Sequence, residues 1–173
     1  MRTPATSHAV RKAVFLDRDG VIVPDEHLFK SPEEVRLFPY VPEAFAELGA
    51  AGLPIVVVTN QAVVARGLAS EQAVEDVHKK IQQLLATAGG GTVERFYFCP
   101  HHPSATLTKY RVRCDCRKPK PGMLHRAADE LGIDLPSSWM VGDRLTDIMA
   151  GHRAGCRTVL RSEEHTSELQ SLV

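Results

Sequence analysis

No apolar run in this chain of 173 residues approaches the roughly 18 to 20 needed to cross a bilayer as a helix, so a membrane partner is not expected. An excess of one charge is also lacking. Lys+Arg and Asp+Glu both number 21, which removes the electrostatic reason to expect nucleic acid as a partner. Met1 to Lys12 has charge but no apolar stretch of the kind that opens a secretory leader, and a cytoplasmic location is expected. Internal repeats and low-complexity tracts are missing as well. Cysteine is scarce at four, but Cys99, Cys114 and Cys116 stand close together, a clustering that favours metal over disulfide in a reducing compartment.

What is present is an ordinary globular composition, 43% hydrophobic and 24% charged, at a length that suits one domain. That domain is expected over residues 1–160, acting as a monomer. The string RSEEHTSELQS from Arg161 breaks the pattern and reads as the in-frame translation of a sequencing-library adapter. Residues 161–173 are therefore set apart as a non-native tail; a polar C-terminal tail or a short amphipathic helix is the alternative.

Short apolar runs alternate with helical stretches, which predicts a parallel α/β sheet. Five strands are expected at 13–16, 55–58, 95–98, 139–141 and 157–160. Helices are expected at 42–51, from a cap at Ser70 to about Ala88, at 121–131 closed by Gly132, and around 146–154. Ala73, Val77, Ile81, Leu84 and Leu85 give the longest of these an apolar stripe. The first, second and fourth strands run directly into Asp17, Thr59 and Asp143. In open α/β sheets ligands sit at such carboxyl ends.

Four groups of residues carry chemistry. In Asp17-Arg18-Asp19-Gly20 two carboxylates two residues apart can face one cavity, Asp17 as nucleophile and Asp19 as acid/base. The hydroxyl of Thr59 and the amide of Asn60 can hydrogen-bond phosphoryl oxygens. Lys118, in Cys116-Arg117-Lys118-Pro119, can offset the charge of a phosphoryl group and of Asp17. Asp143, in Gly142-Asp143-Arg144-Leu145-Thr146-Asp147, is placed to hold Mg²⁺, a hard cation that takes oxygen ligands. Asp147 can assist there or interact with its helix dipole.

In that order the motifs D-x-D-G-V, T-N, K-P and G-D-x-x-x-D resemble those of the haloacid dehalogenase (HAD) superfamily of phosphohydrolases, over about residues 10–160. The resemblance implies a Rossmann-like three-layer sandwich with an aspartyl-phosphate formed on Asp17. It implies catalytic roles for Asp17, Asp19, Thr59 and Lys118. Mg²⁺ would be held by the Asp17 side chain, the Asp19 main-chain carbonyl and Asp143. No space between the motifs is large enough for a cap domain.

A fifth group narrows the family. Cys99-Pro100-His101-His102 followed by Cys114-Asp115-Cys116 matches a closed tetrahedral Zn²⁺ site at Cys99, His101, Cys114 and Cys116, within a zinc loop over 99–116. His102 in place of His101, free thiols, or a disulfide from Cys99 are the alternatives. Cys156 reads as a small core residue. With this loop and Ala65-Arg66-Gly67, the chain is similar to the zinc-containing D-glycero-D-manno-heptose 1,7-bisphosphate 7-phosphatase family. The likeness implies structural Zn²⁺, catalytic Mg²⁺, a small phosphorylated sugar substrate, and substrate contacts at Asn60, Arg66, Arg117 and Lys118. The nearest related family, histidinol-phosphate phosphatase, has a shorter zinc loop than the twelve residues that separate His101 from Cys114 here. Two departures stand out: Ala62-Val63 replaces a small Ser-Gly pair, and Arg144 stands where Lys is usual. The rival of another class is a non-catalytic zinc-dependent binding module, which has no need of Asp17, Asp19, Lys118 and Asp143 together.

Overall fold

The computed structural model describes residues 11–25 and 32–162; residues 163–173, most of the segment read as a tail, lie outside them. Five parallel strands, β1 (Val14–Leu16), β2 (Ile55–Asn60), β3 (Arg95–Cys99), β4 (Trp139–Gly142) and β5 (Arg157–Leu160), form one sheet in the order β3-β2-β1-β4-β5. Five α-helices accompany them: α1 (Val41–Ala50), α2 (Ala62–Ala65), α3 (Glu71–Thr87), α4 (Gly122–Leu131) and α5 (Leu145–Arg153). Strand period explains why helices cover both faces. Phe15, Val56 and Val58 point to one face and pack with Met123, Leu124 and Ala127 of α4 and Ala150 of α5. Val14, Leu16, Ile55 and Val57 point to the other, against Phe45 of α1 and Val77, Ile81 and Leu85 of α3. The result is the expected three-layer, Rossmann-type sandwich.

The strand order sets where a ligand can sit. From β1 the chain steps outward through β2 to β3, then returns to the far side of β1 for β4 and β5. The crossovers lie on opposite faces on the two sides of β1, so a crevice opens at the carboxyl ends of β1 and β4. Register brings those ends level: Leu16 pairs with Val57 and with Val141, and the Asp17 N–H donates to Val141 O at 3.0 Å. Among the described residues no further domain covers this edge.

Local signals explain the element ends. Ser70 is the N-cap of α3, its Oγ accepting the Ala73 N–H at 3.0 Å. Gly132, at φ 65°, closes α4 in the left-handed conformation that glycine adopts without strain. The strand expected at 55–58 runs two residues further, because Thr59 and Asn60 still pair with Phe98 and Cys99. The buried stripe of α3 holds Val77, Ile81 and Leu85 as expected, with Leu84 half-buried; Val74 and His78 join it, and Ala73 is exposed.

His78 is the unexpected member of that stripe. It is 2% exposed and stacked on Phe96 with ring centroids 4.5 Å apart, and neither ring nitrogen has a hydrogen-bond partner. Burial, with the charge of Arg18 as the second cause, pushes its pKa down from 6.5 to about 3. The folded ring therefore stays neutral where the unfolded chain's histidine takes up a proton. Its stabilising share is intact above pH 6.5 and is lost as pH falls from there toward 3. His78→Phe should flatten that part of the profile: from pH 7 to pH 5 the wild type should lose about 2 kcal/mol more than the variant in urea unfolding. Parallel losses would show that His78 does not drive the difference.

Candidate active site

Lys118 organises the cavity at the carboxyl ends of the strands. It is 2% exposed, and its Nζ reaches three acceptors: Val58 O at 2.7 Å, Asp17 Oδ1 at 2.9 Å and Asp147 Oδ1 at 2.7 Å. Burial alone would favour the neutral amine, but the charges of Asp17 and Asp147 outweigh it and hold the pKa above the usual lysine range. The Lys118–Pro119 peptide is cis, and the Lys118 backbone is clamped by Asn60. The Asn60 Nδ2 donates to Lys118 O, and the Lys118 N–H donates to Asn60 Oδ1, both at 3.0 Å. Asn60, expected as a substrate contact, therefore braces the lysine as well as lining the cavity.

Asp17 follows β1 and is 7% exposed. Its Oδ1 accepts the Arg18 N–H at 2.7 Å besides contacting Lys118. Burial raises its pKa to about 6, with Lys118 opposing the rise and Asp147 and Asp19 adding to it. Asp19 sits opposite, where Arg18 and Gln61 donate to its carboxylate and Thr59 Oγ1 lies 3.4 Å away. Gly20, at φ 77°, makes the turn and admits Asp143: a Cβ there would lie 2.2 Å from Asp143 Oδ2. The glycine of this motif is thus required for space as well as for turning.

The carboxylates of Asp17, Asp143 and Asp147 offer oxygens within 4.8 Å of one another. Two of the three are engaged with Lys118, and Asp147 Oδ2 also accepts the Arg144 N–H at 3.1 Å at the start of α5. Asp143 is different. Its Oδ1 is buried with no hydrogen-bond partner, and burial followed by the Asp147 charge raises its pKa. An unpartnered carboxylate oxygen beside other hard oxygen donors fits a cation such as Mg²⁺. Of the two roles open to Asp147, the helix-end contact is present; its grip on Lys118 was not foreseen.

The four expected zinc ligands also converge, their ligand atoms within 4.8 Å of one another. Cys99 Sγ lies 3.6 Å from His101 Nδ1 and 3.6 Å from Cys114 Sγ, and Cys116 Sγ lies 3.4 Å from the same Nδ1 and 3.0 Å from Cys99 Sγ. A tetrahedral Zn²⁺ with ordinary bond lengths implies edges of about 3.8 Å between sulfurs and about 3.6 Å from sulfur to nitrogen. The set fits, with one edge compressed. All four cysteines of the chain are free thiols, and His102 is turned to the loop, its Nδ1 accepting the Ser104 N–H. Cys156 is buried as expected, which pushes its thiol up to about 11.

The cluster stands beside the cavity. Cys116 precedes Lys118 by two residues, and Arg117 Nη1 donates to His101 O at 3.1 Å. The cavity, of about 600 Å³, is lined by both aspartates of the first motif and by Arg66, Arg117, Lys118 and Arg144. Arg144, the departure noted above, is paired with Asp25. Ala62 and Val63, the other departure, open α2 and line the same wall. Gln61 and Arg18 are polar residues of the site that the motif reading left without a role.

Comparison with known proteins gives consistent findings. The family model described as HAD-hydrolase-like matches residues 115–171. A D-glycero-β-D-manno-heptose-1,7-bisphosphate 7-phosphatase of Rhodopseudomonas palustris is 41% identical over 145 residues, covering 84% of this chain and 80% of its own length. Its Escherichia coli counterpart is 40% identical over 146 residues, covering 84% and 76%. Among solved structures, a D,D-heptose 1,7-bisphosphate phosphatase from B. bronchiseptica, complexed with magnesium and phosphate, is similar with a TM-score of 0.77. It is 36% identical and covers 92% of this chain and 87% of that one.

If the cysteine cluster holds structural zinc, a chelator should lower the melting temperature of zinc-loaded protein, and Cys114→Ser should do the same. Equal melting temperatures with and without chelator would rule that role out.

Proposed function

The chain belongs to the D-glycero-β-D-manno-heptose-1,7-bisphosphate 7-phosphatase family of HAD-like hydrolases, and from that footing we propose that it removes the 7-phosphate of heptose 1,7-bisphosphate as a magnesium-dependent phosphomonoester hydrolase. The observation that carries the reading is the Lys118 ammonium held between Asp17 and Asp147, beside the unpartnered oxygen of Asp143. That arrangement carries more negative than positive charge, so it calls for a cation, which would in turn let a phosphate approach Asp17.

Asp17 is the nucleophile. Lys118 and the Arg18 N–H both engage Oδ1, which fixes the carboxylate plane and leaves Oδ2 as the attacking atom. Asp19 gives a proton to the departing sugar oxygen and then takes one from the water that hydrolyses the aspartyl-phosphate. Lys118 lowers the negative charge around the reacting phosphorus in both steps. Mg²⁺ bound by the Asp17 and Asp143 carboxylates and the Asp19 carbonyl would supply further charge stabilisation. Arg66 and Arg117 on the cavity wall suit the phosphate that is not cleaved, since a guanidinium can meet two phosphate oxygens at once. The open edge of the sheet suits a small extended substrate. No helix of the described residues is long and apolar enough to cross a membrane.

The test is phosphate release in Mg²⁺, comparing heptose 1,7-bisphosphate with histidinol phosphate. The bisphosphate should be strongly preferred, and Asp17→Asn should lower turnover by a factor on the order of 10⁴ or more while the protein stays folded. Near wild-type turnover in that variant would remove Asp17 as nucleophile. A preference for histidinol phosphate would keep the chemistry and change the substrate.

A further inference from the structure

We infer that Gln61 is a positioning residue for proton transfer by Asp19; the inference rests on the reading of Asp19 as the acid/base. Gln61 is 4% exposed yet lines the cavity. Its Nε2 donates to Asp19 Oδ2 at 2.7 Å and to Thr59 Oγ1 at 2.9 Å. Its main chain is fixed on both sides: the Gln61 N–H donates to Cys99 O at 2.8 Å, and Gln61 O accepts the Val64 N–H at 3.3 Å in the first turn of α2. The side chain therefore leaves a pinned backbone and reaches Asp19 from a fixed direction.

The opposite side of the same carboxylate is held by Arg18, buried at 4% exposure. Its Nε and Nη2 reach Oδ1 at 3.1 and 3.0 Å, and Nη2 reaches Oδ2 at 3.0 Å. The cation pulls the carboxylate toward itself, and Gln61, at 2.7 Å from Oδ2 against 3.4 Å for Thr59 Oγ1, is the nearer of the two donors that oppose the pull. A neutral amide suits this place because it orients the carboxylate without adding a second charge to an already paired group. Without Gln61, Asp19 would settle toward Arg18 and away from the leaving oxygen. Chemistry that needs the proton should suffer, and chemistry that does not should be spared.

That distinction gives the experiment. An alkyl phosphate, such as the sugar substrate, requires protonation of its leaving oxygen, whereas p-nitrophenyl phosphate releases a phenolate that leaves without a proton. The quantity to compare is kcat/KM, which reports the steps through departure of the leaving group. Gln61→Leu, and Gln61→Glu as the variant of equal size, should each lower kcat/KM on the alkyl phosphate by roughly 10- to 100-fold. On p-nitrophenyl phosphate both should stay within about threefold of wild type. Asp19→Asn is measured alongside and should show the same dependence on leaving group more strongly. If Asp19→Asn shows that dependence and the Gln61 variants lose equally on both substrates, or on neither, Gln61 has no positioning role. If Asp19→Asn itself falls equally on both, Asp19 is not the acid, and the inference falls with that reading.

Discussion

A single buried ammonium ties this site together. Three elements of the sheet and its covering layer meet at Lys118 Nζ: β2 through Val58 O, β1 through Asp17 and α5 through Asp147. None of these partners is near Lys118 in sequence, so the lysine acts as a cross-link between loops that would otherwise be independent. Losing one partner of such a buried pair typically costs about 3–5 kcal/mol, because the remaining charge is left without compensation. One cation faces three carboxylates here, counting Asp143. Burial is the main reason that the pKa of Asp17 is raised to about 6 despite its contact with Lys118, and that of Asp143 is raised too; the neighbouring carboxylates add to both shifts.

The cysteine cluster bears on this centre through the backbone. Cys116 leads directly into Arg117 and Lys118, Cys99 O holds the Gln61 N–H, and His101 O holds the Arg117 guanidinium. Gly122 lets the loop close against α4, since a Cβ there would lie 2.6 Å from Asp115 O. The loop between β3 and α4 has little apolar surface of its own, apart from Ala105 and Tyr110 packed against Val64, Ala65 and Val74. A metal ion held by the four clustered ligands would give such a segment one shape.

Much of this was legible in the sequence, for identifiable reasons. Strands β1, β2 and β4 are apolar runs that stop at a polar residue, and that pattern survives without knowledge of the partners. The cluster at Cys99, His101, Cys114 and Cys116 was legible because soft ligands at short spacing have few other uses. What was not legible depends on contacts between distant residues. The grip of Asp147 on Lys118, the clamp of Asn60 on the Lys118 backbone, and the bond from Gln61 to Asp19 join residues 29, 58 and 42 positions apart. His78 was missed because histidine reads as polar, and only its stacking on Phe96 explains its place in the core. At the start of the α3 stripe the bulkier Val74 is buried in place of Ala73, while Val77, Ile81 and Leu85 lie where the spacing puts them.

The loop that carries the ligand cluster has a mechanical consequence. It runs from Cys99, the last residue of β3, toward α4, and both ends of the excursion meet in one four-ligand group. Between His101 and Cys114 the arc is tied to the helices that follow β2: the Leu107 N–H donates to Ala65 O at 3.0 Å and the Tyr110 hydroxyl to Glu71 Oε1 at 2.6 Å. Changes near Ala105, Leu107 and Tyr110 would therefore be felt in α2 and α3, whereas the exposed residues Val112 and Arg113 have more room to vary. One excursion of the chain thus shapes the rim and delivers Lys118, so a change in the rim and a change in the charge at the reaction centre are mechanically linked.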